Sequence, residues 1–306
     1  MQPATISAHY FNGQAVAPER LGELRRSDDI LDDTPALKTR MKDDGYLFLP
    51  GYLDRGEVKA ARQTLCDRLA AAGVFDSSYS AIEAVAKPGI RVDMLPGIAE
   101  NNPELDRVLH DGPMIAFFTR FLGGLVRHFD YTWVRVKSPG PTPTNPHYDV
   151  VYMGRGTHRL FTAWTPFSDC PYGMGGLIIL ENSHKHSELR NTYGRFDIDT
   201  FCENAEEMER EGRQRKDWSA FGGQLSDDIF AVQKEWGGRW LTTEYAMGDV
   251  LIFSMYTLHG SFDNMTDRIR LSTDTRYQLA AEPADPRWIG PDPPKHGPNA
   301  KRGLIC

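Results

Sequence analysis

The first third of the chain carries apolar residues at helical spacing. From residue 54 to residue 73 they recur every three or four positions, which predicts one buried face of an α-helix. Asp54 is a suitable N-cap, and Glu57 three residues later is placed to complete a capping box. A second helical stretch is predicted near 103–122, and a short strand over 46–50 precedes the first helix.

After residue 129 the pattern changes to short β-rich runs that are separated by Gly, Pro, Asn and Asp. Several short strands with turn residues between them are typical of a β-sandwich or a β-barrel. The fold class is therefore predicted to be mainly β with flanking helices. The predicted strands are 129–137, 148–153, 158–166, 176–181, 239–245, 249–255 and 269–279.

No internal repeat or low-complexity linker divides the chain, which predicts a single domain over 1–306. Residues 1–35 show little periodicity and are expected to form an N-terminal arm over the surface. Segment 183–236 interrupts the strand pattern, and its charged part 203–217 is expected to be helical. An insertion of this kind between strands is either a lid over a binding site or a solvated decoration. The tail 283–306, rich in Pro and Gly, is expected to lie on the surface.

Charge and hydropathy narrow the class of partner. The net charge of −7 argues against a nucleic acid or an anionic membrane as the partner. No run approaches the roughly 18 apolar residues that a transmembrane helix requires. The N-terminal residues do not match a secretion signal. We therefore expect a cytoplasmic protein that acts on a small molecule; the sequence makes no prediction of the oligomeric state.

The cysteines are widely scattered and include no CxxC pair. Regularly spaced cysteines in a short chain would indicate a disulfide framework or a zinc site. Reduced thiols are therefore expected, as is usual in the cytoplasm. The four positions are Cys66, Cys170, Cys202 and Cys306.

Two histidines and an aspartate have the spacing of a metal site. In a strand, residues i and i+2 point to the same side, so His147 and Asp149 can chelate one metal while Tyr148 points away. His259 ends a predicted buried strand farther along the chain. Two imidazoles and one carboxylate are the ligands of mononuclear iron(II) oxygenases, and no nearby cysteine favours zinc. Alone, the His-x-Asp motif is weak, because a hydrogen-bonded His and Asp at a strand end would give the same pattern.

The residues that follow His259 supply a second feature. After a turn, the chain from Arg268 to Tyr277 alternates in a way that is typical of a strand. If His259 lines the interior, this strand can place an arginine beside the metal, where its guanidinium suits a carboxylate. Arg268 and Arg276 are expected instead to pair with Asp274 and nearby acids. The residues that share this face are Arg268, Arg270, Ser272, Asp274 and Arg276.

Several motifs now occur together in a fixed order. They are DGYLFLP at 44–50, HYD at 147–149, FTAWTP at 161–166, GGLIILENSHK at 175–185, GDVLIF at 248–253 and the stretch 259–270. In this combination the chain resembles the phytanoyl-CoA dioxygenase family of iron(II)- and 2-oxoglutarate-dependent oxygenases. The resemblance covers residues 40–280, with gaps at 75–125 and 187–236. It is much more specific than the His-x-Asp motif alone.

The resemblance implies a double-stranded β-helix, a cupin-like jelly-roll barrel with helices packed outside. It implies that the two histidines and the aspartate bind iron(II). It further implies that Arg270 anchors the C5 carboxylate of 2-oxoglutarate and that Ser261 assists with its hydroxyl. Trp164 either forms part of the co-substrate wall or is an ordinary core residue.

The reaction implied by the resemblance consumes 2-oxoglutarate and O2, releases succinate and CO2, and hydroxylates a C–H bond. Asp149 favours hydroxylation over halogenation, because related halogenases typically carry a small residue in place of this carboxylate. Desaturation, cyclisation, demethylation and epimerisation stay open, since they use the same iron site. Two rival classes also remain. One is a non-catalytic cupin-type protein that binds a small molecule or a metal, and the other is a zinc-type hydrolase with the same three ligands.

The substrate is the least constrained part of the prediction. A small polar or amphipathic metabolite is expected from the breadth of the family, and no element specifies a CoA group. For each arginine among the candidates the alternative is a surface salt bridge, and the histidine is alternatively part of the wall or the surface. The candidate substrate residues are Trp133, Arg135, Tyr152, Arg155 and His158.

Overall fold

The β-rich part of the chain forms two large sheets, with helices packed outside one of them. The computed structural model describes residues 9–212 and 222–306. The strands are β1 (His9–Phe11), β2 (Gln14–Val16), β3 (Leu21–Glu23), β4 (Tyr46–Leu49), β5 (Val126–His128), β6 (Trp133–Lys137), β7 (Thr144–His147), β8 (Phe161–Pro166), β9 (Leu177–Leu180), β10 (Thr200–Cys202), β11 (Trp240–Thr242), β12 (Val250–Ser254), β13 (His259–Ser261), β14 (Arg270–Leu279) and β15 (Arg302–Leu304). The helices are α1 (Thr34–Asp44), α2 (Arg55–Ala71), α3 (Pro103–Leu109), α4 (Gly112–Leu122), α5 (Val150–Met153), α6 (Ser187–Asn191), α7 (Ala205–Arg210) and α8 (Ile229–Trp236).

The larger sheet has the strand order β4–β12–β8–β14–β5, and β6 also pairs with β14. The second sheet has the order β3–β11–β9–β13–β7. Strands that follow each other in the chain change sheets, because β8 and β12 belong to the first sheet and β9 and β13 to the second. This alternation is the predicted jelly-roll arrangement. Within the described residues no strand pairing closes the two sheets into a barrel.

Alternate residues of the larger sheet face opposite sides, as the period of a strand requires. Ala163, Ile252 and Leu271 pack in one apolar cluster with residues of α1 to α4. Trp164 and Leu251 pack in another cluster with residues of β9 and β11. The helices therefore cover the outer face of the larger sheet. Its inner face meets the second sheet, and the polar face of β14 points into this interior.

The helical predictions hold in outline. Helix α2 follows the predicted N-cap, since the Asp54 carboxylate accepts a hydrogen bond from the Glu57 N–H at 2.8 Å. The stretch 103–122 forms two helices, because Asp111 caps a new helix that starts at Gly112. Of the helix predicted over 203–217, Ala205–Arg210 is helical, and residues 213–217 lie outside the described part.

The strand predicted over 148–153 is wrong. The strand ends at His147, and Asp149 has helical backbone angles (φ −61°, ψ −29°) at the start of α5. The Tyr152 and Met153 N–H groups both donate to the carbonyl of Asp149, which closes this turn of helix. The two metal-ligand candidates therefore lie on either side of a strand-to-helix junction rather than on one strand.

The two ends of the chain contribute to the fold. Strand β3 lies parallel to β11 at the edge of the second sheet, and Phe11 and Val16 are buried. In the tail, Arg287 and Trp288 are each 2% exposed. No helix among the described residues is long and apolar enough to cross a membrane.

The expectation that all cysteines are reduced is wrong for one pair. Cys202 and Cys306 form a disulfide. Strands β10 and β15 pair in parallel with Cys202 opposite Leu304, and this long-range pairing brings the two sulfurs together. Nothing in the spacing of the cysteines indicated it. Cys66 and Cys170 are free and buried, as expected.

Candidate active site

Backbone pairing brings the two histidines of the metal prediction together. His147 ends β7 and His259 begins β13, and the two residues are direct partners in the antiparallel register. Their ring centroids are 4.2 Å apart. Asp149 joins them from the first turn of α5, and all three side chains are buried. One ligand atom from each residue lies within 4.8 Å of the others.

Hydrogen bonds to the backbone orient both imidazoles. His147 Nδ1 donates to the Asn145 carbonyl at 2.8 Å, and His259 Nδ1 donates to the Thr257 carbonyl at 2.9 Å. Both Nε2 atoms then lie 3.9 Å from the same oxygen of Asp149, Oδ1. Such bonds to the second ring nitrogen fix the tautomer of metal-ligating histidines. Two Nε2 lone pairs and one carboxylate oxygen thus converge on one point.

The protonation states suit a cation at this point. Burial, with a smaller contribution from His259, lowers the pKa of His147 to about 3, and burial also lowers the pKa of His259. Burial alone would raise the pKa of Asp149, but the charge of Arg276, with smaller contributions from the two histidines, holds it well below its ordinary value. Two neutral imidazoles and one carboxylate fit a mononuclear iron(II) centre with open positions.

Two further residues bind the Asp149 carboxylate, and neither contact was predicted from the sequence motifs. Thr162 on β8 donates a short hydrogen bond to Oδ2. Arg276 on β14 donates from Nη2 to Oδ1 at 3.1 Å. Arg276 was expected to pair with Asp274 or a nearby acid; Asp274 instead pairs with Arg135, and the acid that Arg276 contacts is Asp149. The alternation of β14 already placed Arg276 on the interior face, whereas nothing marked Thr162.

The predicted co-substrate anchor is buried with spare hydrogen-bonding capacity. Arg270 is 2% exposed, and its Nη1 donates to Ser272 Oγ at 2.7 Å. Its Nε has no hydrogen-bond partner among the described residues. Burial lowers the pKa of Arg270. A buried guanidinium without a carboxylate partner is unfavourable, so this position favours an anionic ligand.

The other two co-substrate candidates lie close to this arginine. The Arg270 guanidinium lies 5.5 Å from the ring centroid of Trp164, which is buried and packs its ring edge against Tyr245. Trp164 is thus buried beside Arg270, and its role in the co-substrate wall stays a prediction. Ser261 Oγ accepts a hydrogen bond from the Thr144 N–H at 3.0 Å. Its assisting role stays a prediction.

Lys137 was not selected from the sequence, although it lies directly opposite Arg270 in the register of β6 and β14. Burial, followed by the charge of Arg270, lowers its pKa to about 7. Its Nζ donates to the carbonyl of Thr142. The signal that could have found it is the alternation of β6, since Lys137 shares a face with Trp133 and Arg135.

Three of the five substrate candidates lie near the metal-ligand candidates, one by direct contact with His147 and two through contacts with residues of β14. The ring centroid of Trp133 lies 4.5 Å from the Arg276 guanidinium carbon. Arg135 Nε donates to Asp274 Oδ2 at 2.7 Å, and its side chain is 28% exposed. Tyr152 places its ring edge-on to His147 with centroids 5.4 Å apart.

The remaining two candidates have partners elsewhere. Arg155 donates to the Asp197 carboxylate and to the carbonyl of Ala300. His158 Nδ1 bonds to the Tyr256 hydroxyl at 2.7 Å. These contacts join the loop after α5 to the insertion, the tail and the loop after β12. The structure does not bring Arg155 or His158 to the metal ligands.

Comparison with known proteins agrees with this geometry. The family model described as "Phytanoyl-CoA dioxygenase (PhyH)" matches residues 41–272. The 1-deoxypentalenic acid 11-beta-hydroxylase of Streptomyces exfoliatus is 25% identical over 289 residues, which is 90% of this chain and 92% of that protein. The corresponding hydroxylase of Streptomyces arenae is 26% identical over 296 residues, with the same coverage.

Solved structures show the same fold at lower identity. The α-ketoglutarate-dependent carbocyclase SnoK from nogalamycin biosynthesis superposes with a TM-score of 0.58 at 18% identity, over 87% of this chain and 90% of that one. The epimerase SnoN, in complex with Fe3+, α-ketoglutarate and nogalamycin RO, superposes with a TM-score of 0.54 at 21% identity, over 86% and 93%. These similarities support the jelly-roll assignment.

Proposed function

Because the chain belongs to the phytanoyl-CoA dioxygenase (PhyH) family and is an iron(II)- and 2-oxoglutarate-dependent oxygenase, we propose that it hydroxylates a C–H bond of a small amphipathic metabolite. Iron(II) is its metal, and 2-oxoglutarate and O2 are its co-substrates. Bound iron supplies the activation of O2 that is coupled to oxidation of 2-oxoglutarate to succinate and CO2. The protein supplies ligands, orientation and shielding from water.

One observation supports this proposal above the others. The interior that holds the His147–Asp149–His259 set also holds Arg270, a buried guanidinium with an unpartnered N–H group. We propose that Arg270 binds the C5 carboxylate of 2-oxoglutarate and that Ser261 assists it. A zinc-type hydrolase with the same ligands would have no use for this arginine.

We propose that Trp133, Arg135 and Tyr152 line the substrate side of the centre. They combine two aromatic surfaces with one partly exposed guanidinium, which suits a molecule with an apolar body and a polar group. The names of the two Streptomyces hydroxylases, whose substrate is an acid, agree with this class.

We also propose that the described part of the 183–236 insertion forms one wall of the substrate entrance. The Tyr152 hydroxyl donates to the carbonyl of Gly222, and the Tyr193 hydroxyl donates to the carbonyl of Gly223. The Leu225 N–H donates to the carbonyl of Pro146, next to His147. These bonds tie residues 222–225 beside the first metal ligand.

Anaerobic titration tests the proposal directly. Addition of iron(II) and then 2-oxoglutarate to the apoprotein should produce the weak visible charge-transfer band of a chelated 2-oxoglutarate. A metabolite screen that follows succinate release under O2 should then identify a substrate whose product is heavier by one oxygen atom. A product lighter by two hydrogen atoms would assign desaturation or cyclisation instead. Absence of both the band and succinate release would reject the assignment.

Arg270→Ala and Arg268→Ala form a matched pair for the co-substrate role. Arg268 lies two residues earlier, with a side chain that is 43% exposed near Glu83. We expect Arg270→Ala to raise the KM for 2-oxoglutarate by about a hundredfold, because it removes a charge-assisted bidentate contact. Arg268→Ala should leave this KM unchanged. Equal behaviour of the two variants would contradict the role of Arg270.

The cytoplasm is the location that we propose, since iron(II) and 2-oxoglutarate are supplied there. Fractionation of cells that produce the full chain should recover it together with the cytoplasmic enzymes. Recovery in an exported fraction would contradict this location.

A further inference from the structure

Arg276 places a permanent positive charge directly against the metal-ligating carboxylate. Its Nη2 lies 3.1 Å from Asp149 Oδ1. This is the same oxygen that lies 3.9 Å from Nε2 of both His147 and His259. The side chains of Arg276 and Asp149 are each 2% exposed, so water screens the pair little.

The other two nitrogens of the guanidinium differ from Nη2 in their hydrogen bonding. Nε and Nη1 of Arg276 have no hydrogen-bond partner within the described part of the chain. One face of the group lies over Trp133, whose ring centroid is 4.5 Å from the guanidinium carbon. Two buried nitrogens, which carry three N–H bonds, therefore remain unpartnered among the described residues, and buried unsatisfied donors are unfavourable.

A metal ion and Arg276 would compete for the charge of one carboxylate. Without metal, Arg276 neutralises Asp149. A divalent metal held by Asp149 and the two histidines would place two cations beside one negative charge, and their mutual repulsion would weaken metal binding. The same excess of positive charge would favour binding of a dianion beside the metal.

We propose that Arg276 is a positioning residue that holds Asp149 in place before the metal binds and then shifts affinity from the metal to the 2-oxoglutarate dianion. This inference rests on the proposed function. Thr162 binds the other oxygen of Asp149, so the carboxylate keeps one anchor when Arg276 is replaced. Removal of the charge of Arg276 should therefore have opposite effects on the two ligands.

Three variants of Arg276 separate charge from packing. Arg276→Met keeps an apolar chain over Trp133 and removes the charge. Arg276→Gln removes the charge but can still donate a hydrogen bond to Asp149, and it serves if the methionine variant does not fold. Arg276→Lys keeps the charge. Arg268→Met is the matched control, because Arg268 is near Glu83 and Asp267 and not near the metal ligands.

The measurement is anaerobic calorimetry with cobalt(II) added to the apoprotein and then 2-oxoglutarate added to the cobalt-loaded protein. For Arg276→Met and Arg276→Gln we expect the Kd for cobalt(II) to fall and the Kd for 2-oxoglutarate to rise, each by about tenfold. Arg276→Lys should stay near the wild-type values. Arg268→Met should change neither constant.

The outcomes separate the inference from the proposed function. Suppose that cobalt(II) and 2-oxoglutarate both bind more weakly to Arg276→Met and Arg276→Gln, and that Arg276→Lys does not restore either affinity. Arg276 then has only a packing role, and the inference is wrong. It is also wrong if neither constant changes. If the wild-type protein binds cobalt(II) but not 2-oxoglutarate, the proposed function itself fails and the inference with it.

Discussion

Two buried charged clusters in this molecule contain the same residue types and differ in what they leave unsatisfied. The metal cluster consists of His147, Asp149, His259 and Arg276. The tail cluster consists of Arg287, Asp285, Asp197, Asp199 and His296. Each combines at least one carboxylate, an arginine and at least one histidine in a largely buried setting.

The charged groups of the tail cluster bind one another. Arg287 binds Asp285 through Nε and Nη2 and reaches Asp197 and Asp199 through Nη1. His296 completes it with a 2.7 Å contact to Asp199. In the metal cluster, both histidine Nε2 atoms and one carboxylate oxygen instead converge without bonding each other. Burial of charge alone therefore does not mark a functional site; ligand atoms that converge without bonding each other do.

The strongest test of this contrast is removal of the metal carboxylate. Asp149→Ala should lower turnover of 2-oxoglutarate by at least about a thousandfold, since a metal ligand is lost and Arg276 loses its partner. Circular dichroism should show a retained fold, and calorimetry should show lost cobalt(II) binding. Near wild-type turnover would mean that the cluster is not the metal site.

Removal of the central cation of the tail cluster should have the converse effect. Arg287→Met leaves buried carboxylates without their main partner, so the free energy of unfolding should fall by about 3–5 kcal/mol. Below the melting transition, cobalt(II) affinity should match that of the wild type. A selective loss of metal binding in the folded variant would show that the two clusters are coupled.

A variant of Arg155 tests whether this predicted substrate residue stabilises the tail cluster instead. Its contacts with Asp197 and Ala300 lead us to expect that Arg155→Met lowers the free energy of unfolding by about 1–3 kcal/mol. The KM for the prime substrate should not change. A raised KM for the prime substrate with an unchanged free energy of unfolding would show that Arg155 acts in the substrate pocket.

Acid titration should separate the clusters by pH. The folded apoprotein holds His147 neutral with a pKa of about 3, whereas the unfolded chain takes up this proton below pH 6.5. The unfolded state then binds more protons, so the free energy of unfolding should fall as the pH drops from 6.5 towards 3. His147→Gln should remove this part of the slope.

Asp285 of the tail cluster should respond at lower pH. Burial opposes ionisation of Asp285, but its bonds to Arg287 outweigh that effect and lower its pKa below 3.8. Its stabilising contribution is present above pH 3.8 and is lost as the pH falls through the lowered value. Urea denaturation at several pH values measures both phases. If the free energy of unfolding changed with pH near pH 6 as steeply in His147→Gln as in the wild type, the two clusters would not be separated by pH in this way.

Local periodicity accounts for much of what could be predicted. The alternation of β14 placed Arg270 and Arg276 on one face. The strand–turn pattern indicated a β-sandwich or β-barrel, and the family resemblance narrowed it to a jelly roll. Helix α2 was visible because its apolar spacing and its N-cap Asp54 are local features. Each of these depends on residues close together in the chain.

Features that depend on distant contacts were missed. Thr162 and Arg276 meet Asp149 only because β8 and β14 are neighbours in the sheet. The contact of Arg155 with Asp197 was not predicted, because Asp197 lies in the insertion, 42 residues away. The helical turn at Asp149 was missed for a different reason, since valine and tyrosine favour strands by propensity, and tertiary contacts overrode that preference.

The Cys202–Cys306 link bears on how the enzyme is handled in the laboratory. Iron(II) oxygenases are assayed with reductants, and a thiol reductant such as dithiothreitol can open this link through thiol–disulfide exchange, whereas ascorbate does not act by that route. Two preparations of the same chain would then differ in whether β15 is covalently held. Melting curves recorded in each reductant should accompany any activity measurement, so that a change in tail attachment is not mistaken for a change in catalysis.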